Sequence, residues 1–280
     1  MHPVYVYIKK ELSPFYAEEE ASAMAKWISS DILHLSTLEL YTGKDMNVST
    51  KEWAELEDIL RRLKQREPLQ YILQEASFCG RSFHVEQGVL IPRPETEELV
   101  EWIVSDYRKA GQVRILDIGT GSGCIPVSLA QLLPEAQVSS CDVSTEALRI
   151  AAMNVKRYGD KVTLFCADIL KEELPECQVD VLVSNPPYIT ESERTDMEAN
   201  VLDWEPELAL FVPDSDPLRF YRRIAWKGLD WLSEGGALYF EINRAYGAET
   251  VRMLEELGYR QIELRKDLSG NDRMIKAIRP

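Results

Sequence analysis

Ile115-Leu116-Asp117-Ile118-Gly119-Thr120-Gly121-Ser122-Gly123 joins a short apolar run to the start of a helical pattern, and its reading decides the fold. The run from Val113 to Ile118 has the length and content of a buried strand. The glycines permit a tight turn and let a ligand approach the main chain closely. From Val113 onward the rhythm is strand, helix, strand. Strands are expected at 113–118, 137–142, 161–166, 179–184 and 236–242, with two more in 259–265 and 273–278. Helices fit 123–133, 145–158, 216–233 and 246–257, while 189–215 reads as a long loop. Such alternation means an α/β fold, a parallel sheet with helices on its faces.

The turn alone is a weak signal, because nicotinamide cofactors use a related one. Two details narrow it. The spacing is G-x-G-x-G, over Gly119, Thr120, Gly121, Ser122 and Gly123, and Asp117 precedes it by two residues. Asp142 ends the second strand, where a carboxylate can accept both hydroxyls of a ribose. Asp168 ends the third, where it can receive the amino group of adenine, although an acid there is also a common helix cap. Carboxylates at three successive strand ends mark a nucleoside site at the carboxyl edge of the sheet. No cluster of cations awaits a pyrophosphate. S-adenosylmethionine, a nucleoside bearing a sulfonium instead of phosphates, fits better than NAD.

The fourth strand runs into Asn185-Pro186-Pro187-Tyr188. Consecutive prolines donate no backbone hydrogen bonds and bias the preceding residues toward extended backbone, so the turn is stiff. The Asn185 side chain and the Pro186 carbonyl are two acceptors beside the Tyr188 ring. That set suits a planar –NH2 group, each N–H meeting one oxygen and the plane stacking on the ring. The bland alternative is a rigid strand-to-loop turn without chemistry.

The first ~70 residues differ in character. Ser13-Pro14 reads as a helix start, followed by Ala17, Ala21, Met24, Ile28, Ile32 and Leu35 at helical steps. Ser49 and Glu52 form a capping box ahead of Trp53, Leu56, Leu60 and Leu63. Arg66–Ile72 breaks the helical pattern, and Ala76–Cys79 with Ser82–Val85 reads as a hairpin turning at Cys79-Gly80-Arg81. Val89–Glu97, stiffened by Pro92 and Pro94, leads into a helix carrying Leu99, Trp102, Ile103 and Tyr107. The expected division is a helical domain over 1–73, a hairpin linker over 74–92 and a catalytic domain over 93–280.

The formal charge of −15 over 280 residues weighs against binding nucleic acid through its phosphates. The one dense basic run, Arg61-Arg62-Leu63-Lys64-Gln65-Arg66, reads as a solvated helix face. Cys79, Cys124, Cys141, Cys166 and Cys177 contain no C-x-x-C pair, and with three histidines they support neither a disulfide framework nor a metal site. They read as ordinary buried thiols of a reducing compartment. No signal peptide or membrane span is evident, so a cytoplasmic location is expected.

Taken together, Asp117–Gly123, Asp142 and Asn185–Tyr188 resemble the fingerprint of class I S-adenosylmethionine-dependent methyltransferases acting on planar amino nitrogens. Pro68-Leu69-Gln70-Tyr71-Ile72, Leu90-Ile91-Pro92-Arg93-Pro94-Glu95-Thr96-Glu97 and Asn185–Tyr188 resemble, more narrowly, the HemK/PrmC-type glutamine methyltransferases of peptide-chain release factors. Glu205–Leu210 and Asp267–Arg273 are further landmarks. The resemblance implies an N-terminal helical bundle, a β-hairpin linker and a Rossmann-like seven-stranded sheet with its last strand antiparallel. It implies that Gly119–Gly123, Asp142, Asp168, Ile169 and Asn185 contact S-adenosylmethionine, leaving S-adenosylhomocysteine as product. It also implies that Asn185, Pro186, Pro187 and Tyr188 hold the glutamine of a Gly-Gly-Gln loop, with Asn185, Pro186 and Tyr188 as the catalytic set. A monomer with release factors as partners, no metal and no direct contact to nucleic acid is expected. The sequence departs from the family at Phe211–Leu218, at Glu241-Ile242-Asn243-Arg244, and at Ile169, where some members carry an aromatic residue. Two other readings remain: an adenine-N6 methyltransferase of DNA or RNA using the same turn, and a catalytically silent translation-associated binding protein.

Overall fold

The computed structural model describes residues 2–42, 48–171 and 178–280. The chain divides into two compact units, the residues up to Leu73 with Ala199–Trp204, and 74–198 with 205–280.

The first unit is helical: α1 (Pro3–Leu12), α2 (Glu18–Leu33), α3 (Thr37–Thr42), α4 (Thr50–Leu63) and α5 (Leu69–Leu73). Its core is Ile8 and Leu12 against Ala21, Ala25 and Ile28, closed by Leu56, Leu60 and Leu63. The expected start at Ser13-Pro14 is a helix end instead: Ser13 N–H donates to the Lys9 carbonyl as the C-cap of α1, and α2 begins at Glu18. Helix α1 carries its own signal, with Pro3 in the first turn, His2 accepting the Val4 N–H, and apolar residues at 4, 8 and 12. The Ser49–Glu52 capping box is present, with both reciprocal bonds formed. Trp53, expected in the buried stripe, is exposed and edge-on to Tyr7. The break at Arg66–Ile72 is real but short, since Arg66 turns at positive φ and Leu69 resumes a helix. In the basic run, Arg61, Arg62 and Lys64 face Asp58, Glu67 and Glu11 respectively.

The second unit opens with the hairpin β1 (Glu75–Phe78) and β2 (Arg81–His84). Cys79 and Gly80 both take positive φ between them, as a two-residue hairpin turn requires. Next come α6 (Pro94–Tyr107), β3 (Arg114–Ile118), α7 (Cys124–Leu132), β4 (Gln137–Asp142), α8 (Thr145–Arg157), β5 (Val162–Cys166) and β6 (Val179–Ser184). The stretch after β6, expected as one loop, holds short elements: β7 (Ile189–Thr190), a 3-10 turn at Glu191–Asp196, α9 (Ala199–Trp204), which belongs to the first unit, α10 (Glu207–Leu210) and β8 (Phe211–Val212). Strands β7 and β8 pair in parallel, and Thr190 with Glu193 forms a second capping box, a signal the weak periodicity concealed. The chain finishes with α11 (Arg219–Trp231), β9 (Leu232–Glu241), α12 (Gly247–Glu256), β10 (Arg260–Lys266) and β11 (Asp272–Ile278).

Seven strands form one sheet in the order β10-β11-β9-β6-β3-β4-β5. All neighbours are parallel except β11, which is antiparallel to both β10 and β9. One face packs on α6 and α7 through residues such as Trp102, Leu129, Val183 and Tyr239. The other packs on α11 and α12 through Leu182, Tyr221, Phe240 and Leu254. Covering both faces explains why β3 and β6 are apolar almost throughout rather than alternating. From β3 the chain steps outward to β4 and β5, then returns to β6 on the other side of β3. That reversal opens a crevice at the carboxyl ends of β3 and β6, the place where such sheets bind ligands. The thiols are less uniform than expected: Cys124 and Cys141 are buried, Cys79 is half-buried and Cys166 is exposed at an edge strand. Cys177 lies outside the described residues.

Candidate active site

The β3–α7 turn forms one wall of the crevice. Gly119, Gly121 and Gly123 all sit at positive φ, where a side chain would be strained. Gly119 and Thr120 N–H groups donate to the Cys141 carbonyl, so the turn is pinned to the end of β4. The Asp142 carboxylate completes the pinning, Oδ2 accepting the Gly121 N–H at 3.0 Å and Oδ1 the Ser144 N–H at 2.9 Å. Burial raises the Asp142 pKa, and backbone donors oppose that shift. Beneath it Asp117 is fully buried, accepting the Ser140 hydroxyl at 2.6 Å and that of Thr120 at 3.3 Å through the same oxygen. Burial lifts its carboxyl to about 7, against which the two hydroxyls pull down.

A cavity of about 160 Å³ follows this wall. Gly119, Thr120, Gly121, Ser122, Asp142, Asp168 and Ile169 line it, as does Asn185. Gly123, expected among the contacts, does not. It is the N-cap of α7, and a Cβ there would come within 3.2 Å of the Ala151 Cβ, so it allows close approach of α8 instead. Asp168 accepts the Leu170 N–H at 2.9 Å and faces Lys171 at 3.1 Å. Burial raises its pKa, but these partners outweigh it and hold the carboxyl below its ordinary value. Asp168 therefore closes the turn at Ile169–Lys171 and lines the cavity, and among the described residues no helix starts there for it to cap.

The residues present suit a nucleoside sulfonium. Among the described lining residues only Arg93 is cationic, against Asp142 and Asp168, so these residues favour a positive ligand and offer no clamp for two phosphates. Arg93 is itself held by Glu205, whose buried carboxylate also accepts the Ile91 N–H at 3.1 Å. Glu205 thereby fixes the Ile91–Arg93 segment beside the cavity, a task no spacing in the sequence reveals.

The β6 end forms the opposing wall. Ser184 donates to the Ile118 carbonyl at 2.6 Å, tying the two strand ends together, and Asn185, Pro186 and Pro187 line the cavity. The position a Gly119 Cβ would take is 3.9 Å from the Asn185 carbonyl oxygen, so the glycine turn lies close to the main chain of the second turn. Tyr188, expected to stack on an acceptor, is not on the lining. Its ring packs against the apolar cluster of α11 and β9, and its hydroxyl donates to Glu241 Oε1 at 3.0 Å. The other oxygen of Glu241 accepts the Thr96 hydroxyl at 2.5 Å, and Asn185 Nδ2 donates to Thr96 Oγ1 at 3.2 Å. Burial raises the Glu241 pKa, against the two hydroxyl donors.

In the sequence Thr96 stands out only as part of the Leu90–Glu97 segment and Glu241 only as part of the departure at Glu241–Arg244, with no role for either side chain. A usable signal existed, since Ala237-Leu238-Tyr239-Phe240-Glu241 is an apolar strand ending on a carboxylate, like the run into Asp117. The departure at Asn243 also has a place in the site: its Nδ2 donates to the Tyr188 carbonyl at 3.0 Å and to Glu193 at 2.9 Å.

Comparison with known proteins agrees with this geometry. The model of the methyltransferase small domain matches residues 96–203, and that of the PrmC N-terminal domain matches 6–73. The release factor glutamine methyltransferase of Bacteroides thetaiotaomicron is 51% identical over 280 residues, covering 100% of both chains. That of Flavobacterium psychrophilum is 43% identical over 268 residues, 95% of this chain and 94% of the other. Among solved structures, a methyltransferase from Pyrococcus furiosus superposes with a TM-score of 0.51 at 15% identity, covering 82% of this chain and 98% of its own. The delta-N METTL16 MTase domain gives 0.52 at 20% identity, over 71% and 89%. These two speak for the fold alone. Full-length identity to the curated relatives, with both domain types matched in order, places the chain in the release factor glutamine methyltransferase family.

Proposed function

We propose that this protein transfers a methyl group from S-adenosylmethionine to the side-chain amide nitrogen of the glutamine in the Gly-Gly-Gln loop of peptide-chain release factors. One observation carries the reading: the glycine turn after β3 and the Asn-Pro-Pro-Tyr turn after β6 face each other across one cavity at the switch point of the sheet. When bound, S-adenosylmethionine supplies an electrophilic methyl group on a sulfonium. Gly119, Thr120, Gly121 and Ser122 with Asp142, Asp168 and Ile169 would hold it.

The protein's own work concerns the acceptor. An amide nitrogen is a poor nucleophile because its lone pair is delocalised into the carbonyl. Asn185 Oδ1 and the Pro186 carbonyl each accept one amide N–H, which fixes the nitrogen and raises its electron density toward the methyl donor. The gain comes mainly from in-line positioning, with electrostatic stabilisation of the charge that develops on nitrogen. Pro187 closes the wall of the cavity beside the acceptor. Tyr188 contributes through the turn, by anchoring its far end to Glu241. No strong base is needed before transfer, since the nitrogen becomes acidic as the bond forms.

The helical unit is assigned to recognition of the protein substrate. A monomer acting in the cytoplasm without direct contact to nucleic acid completes the proposal. Among the described residues no helix is long and apolar enough to cross a membrane. The test is transfer of labelled methyl to a release factor, to its Gly-Gly-Ala variant and to an adenine-rich oligonucleotide. Label on the wild-type factor alone supports the reading, and label on the oligonucleotide overturns it in favour of a base acceptor.

A further inference from the structure

We propose that Glu241 is a positioning residue for the acceptor: through Thr96 it dictates which end of the Asn185 amide faces the cavity, and directly it holds Tyr188 at the other end of the same turn. The inference rests on the acceptor-holding role given to Asn185.

The fold brings the three residues together by register. Strands β6 and β9 are parallel neighbours whose last pair is Ser184 with Phe240, so Asn185 and Glu241 are the next residues outward on adjacent strands. Side chains alternate along a strand, so Glu241 shares the face of Tyr239 rather than that of Phe240. That face is covered by α6, where Trp102 packs edge-on to Tyr239 and Thr96, in the first turn, reaches Glu241. Glu241 is 1% exposed and Thr96 3%, so no water competes for these bonds.

The direction of the chain follows from counting hydrogens. Thr96 has one hydroxyl hydrogen, and it is committed to Glu241 Oε2. Its oxygen can then only accept, so the Asn185 end lying 3.2 Å away has to be the N–H end. Oδ1 is left as the acceptor on the opposite side, which is what an incoming –NH2 group requires. Without the carboxylate the Thr96 hydrogen is free, Asn185 can sit either way round, and half of its orientations would oppose donor to donor. Glu241 Oε1 meanwhile accepts the Tyr188 hydroxyl, so a single carboxylate orients the first and last residues of the turn. A buried carboxylate is poor value as a source of stability, because its desolvation offsets its bonds. Orientation is what it supplies here.

The consequence to measure is selectivity between an acceptor that donates hydrogen bonds and one that cannot. Binding of the Gly-Gly-Gln release factor is compared with that of its Gly-Gly-Glu variant, used as a competitor, for the full-length wild-type protein and for Glu241→Gln, Thr96→Val and Thr96→Ser. Wild type should prefer glutamine by about tenfold or more, since a site built to accept N–H bonds rejects a carboxylate. Thr96→Val should narrow that preference to within about threefold and lower kcat by about 10²-fold, with affinity for S-adenosylmethionine unchanged. Glu241→Gln, whose amide oxygen can still accept the Thr96 hydroxyl in one of its two orientations, should move preference and kcat in the same direction but less far. Thr96→Ser, which keeps the hydroxyl, should restore both. A preference that stays at the wild-type value in Thr96→Val overturns the inference, and that variant decides the matter even where Glu241→Gln does not fold. No preference in the wild-type protein would instead overturn the acceptor-holding role of Asn185 itself.

Discussion

The Glu205 carboxylate and the Arg93 guanidinium meet at 2.5 Å, with the Glu205 side chain only 2% exposed. The second oxygen of Glu205 holds the Ile91 N–H, so one side chain from the landmark Glu205–Leu210 grips the segment that leads into α6. Glu205→Ala leaves a cation and a buried N–H without partners. The expected cost is about 3–5 kcal/mol, read from urea unfolding, together with weaker binding of S-adenosylmethionine because Pro92 and Arg93 line the cavity.

Asn185→Ala removes one of the two acceptors assigned to the substrate amide. Turnover on a release factor should fall about 10²- to 10³-fold, whereas calorimetric affinity for S-adenosylmethionine should stay within about threefold. Retained turnover would dismiss the role.

Asp142 binds two backbone N–H groups, at Gly121 and at the cap of α8, and also lines the cavity. Asp142→Ala should therefore loosen the glycine turn as well as delete a ligand contact. Affinity for S-adenosylmethionine should weaken by about tenfold or more, and Asp142→Asn, whose amide oxygen can keep one of the two bonds, should lose less.

Asp117 predicts a pH dependence of stability. Burial lifts its carboxyl from 3.8 to about 7 in the folded chain. Between those values the folded protein keeps a proton that the unfolded chain has lost, so stability falls as pH rises, by up to about 1.4 kcal/mol per unit. The contribution is fully favourable below the unfolded pKa and levels off above the folded one. Asp117→Asn, which retains an acceptor for Ser140 and Thr120, should flatten that slope between pH 4 and pH 7 in a series of urea midpoints. An unchanged slope would mean that Asp117 is ionised throughout.

Much of this molecule is legible in its sequence because local chemistry and topology point the same way. The β3 run, the glycine turn and the Ser49–Glu52 box each announce themselves within a few residues, and the alternation of strands and helices implies the parallel sheet. Other features depend on residues far apart. Thr96 and Glu241 are 145 positions apart and meet only through the packing of α6 on β9. Glu205 finds Ile91 across 114 positions. Tyr188 looked like a stacking platform because aromatic rings beside acceptors often are. Burial of its ring and the pull of Glu241 on its hydroxyl place it behind the wall instead. Helix α1 and the short elements between Ile189 and Val212 were hidden for a different reason, since proline, glutamate and serine at their ends resemble loop composition.

The backbone of Gly119, beside the Asn185 carbonyl, has a consequence for how this enzyme can vary. A Cβ at position 119 would lie 3.9 Å from that oxygen, an ordinary van der Waals contact, so crowding does not exclude a side chain there. Its positive φ does, since only glycine adopts that backbone without strain. The shape of the main chain at position 119 is therefore the feature to be kept, while side chains elsewhere on the lining can change what the cavity accepts.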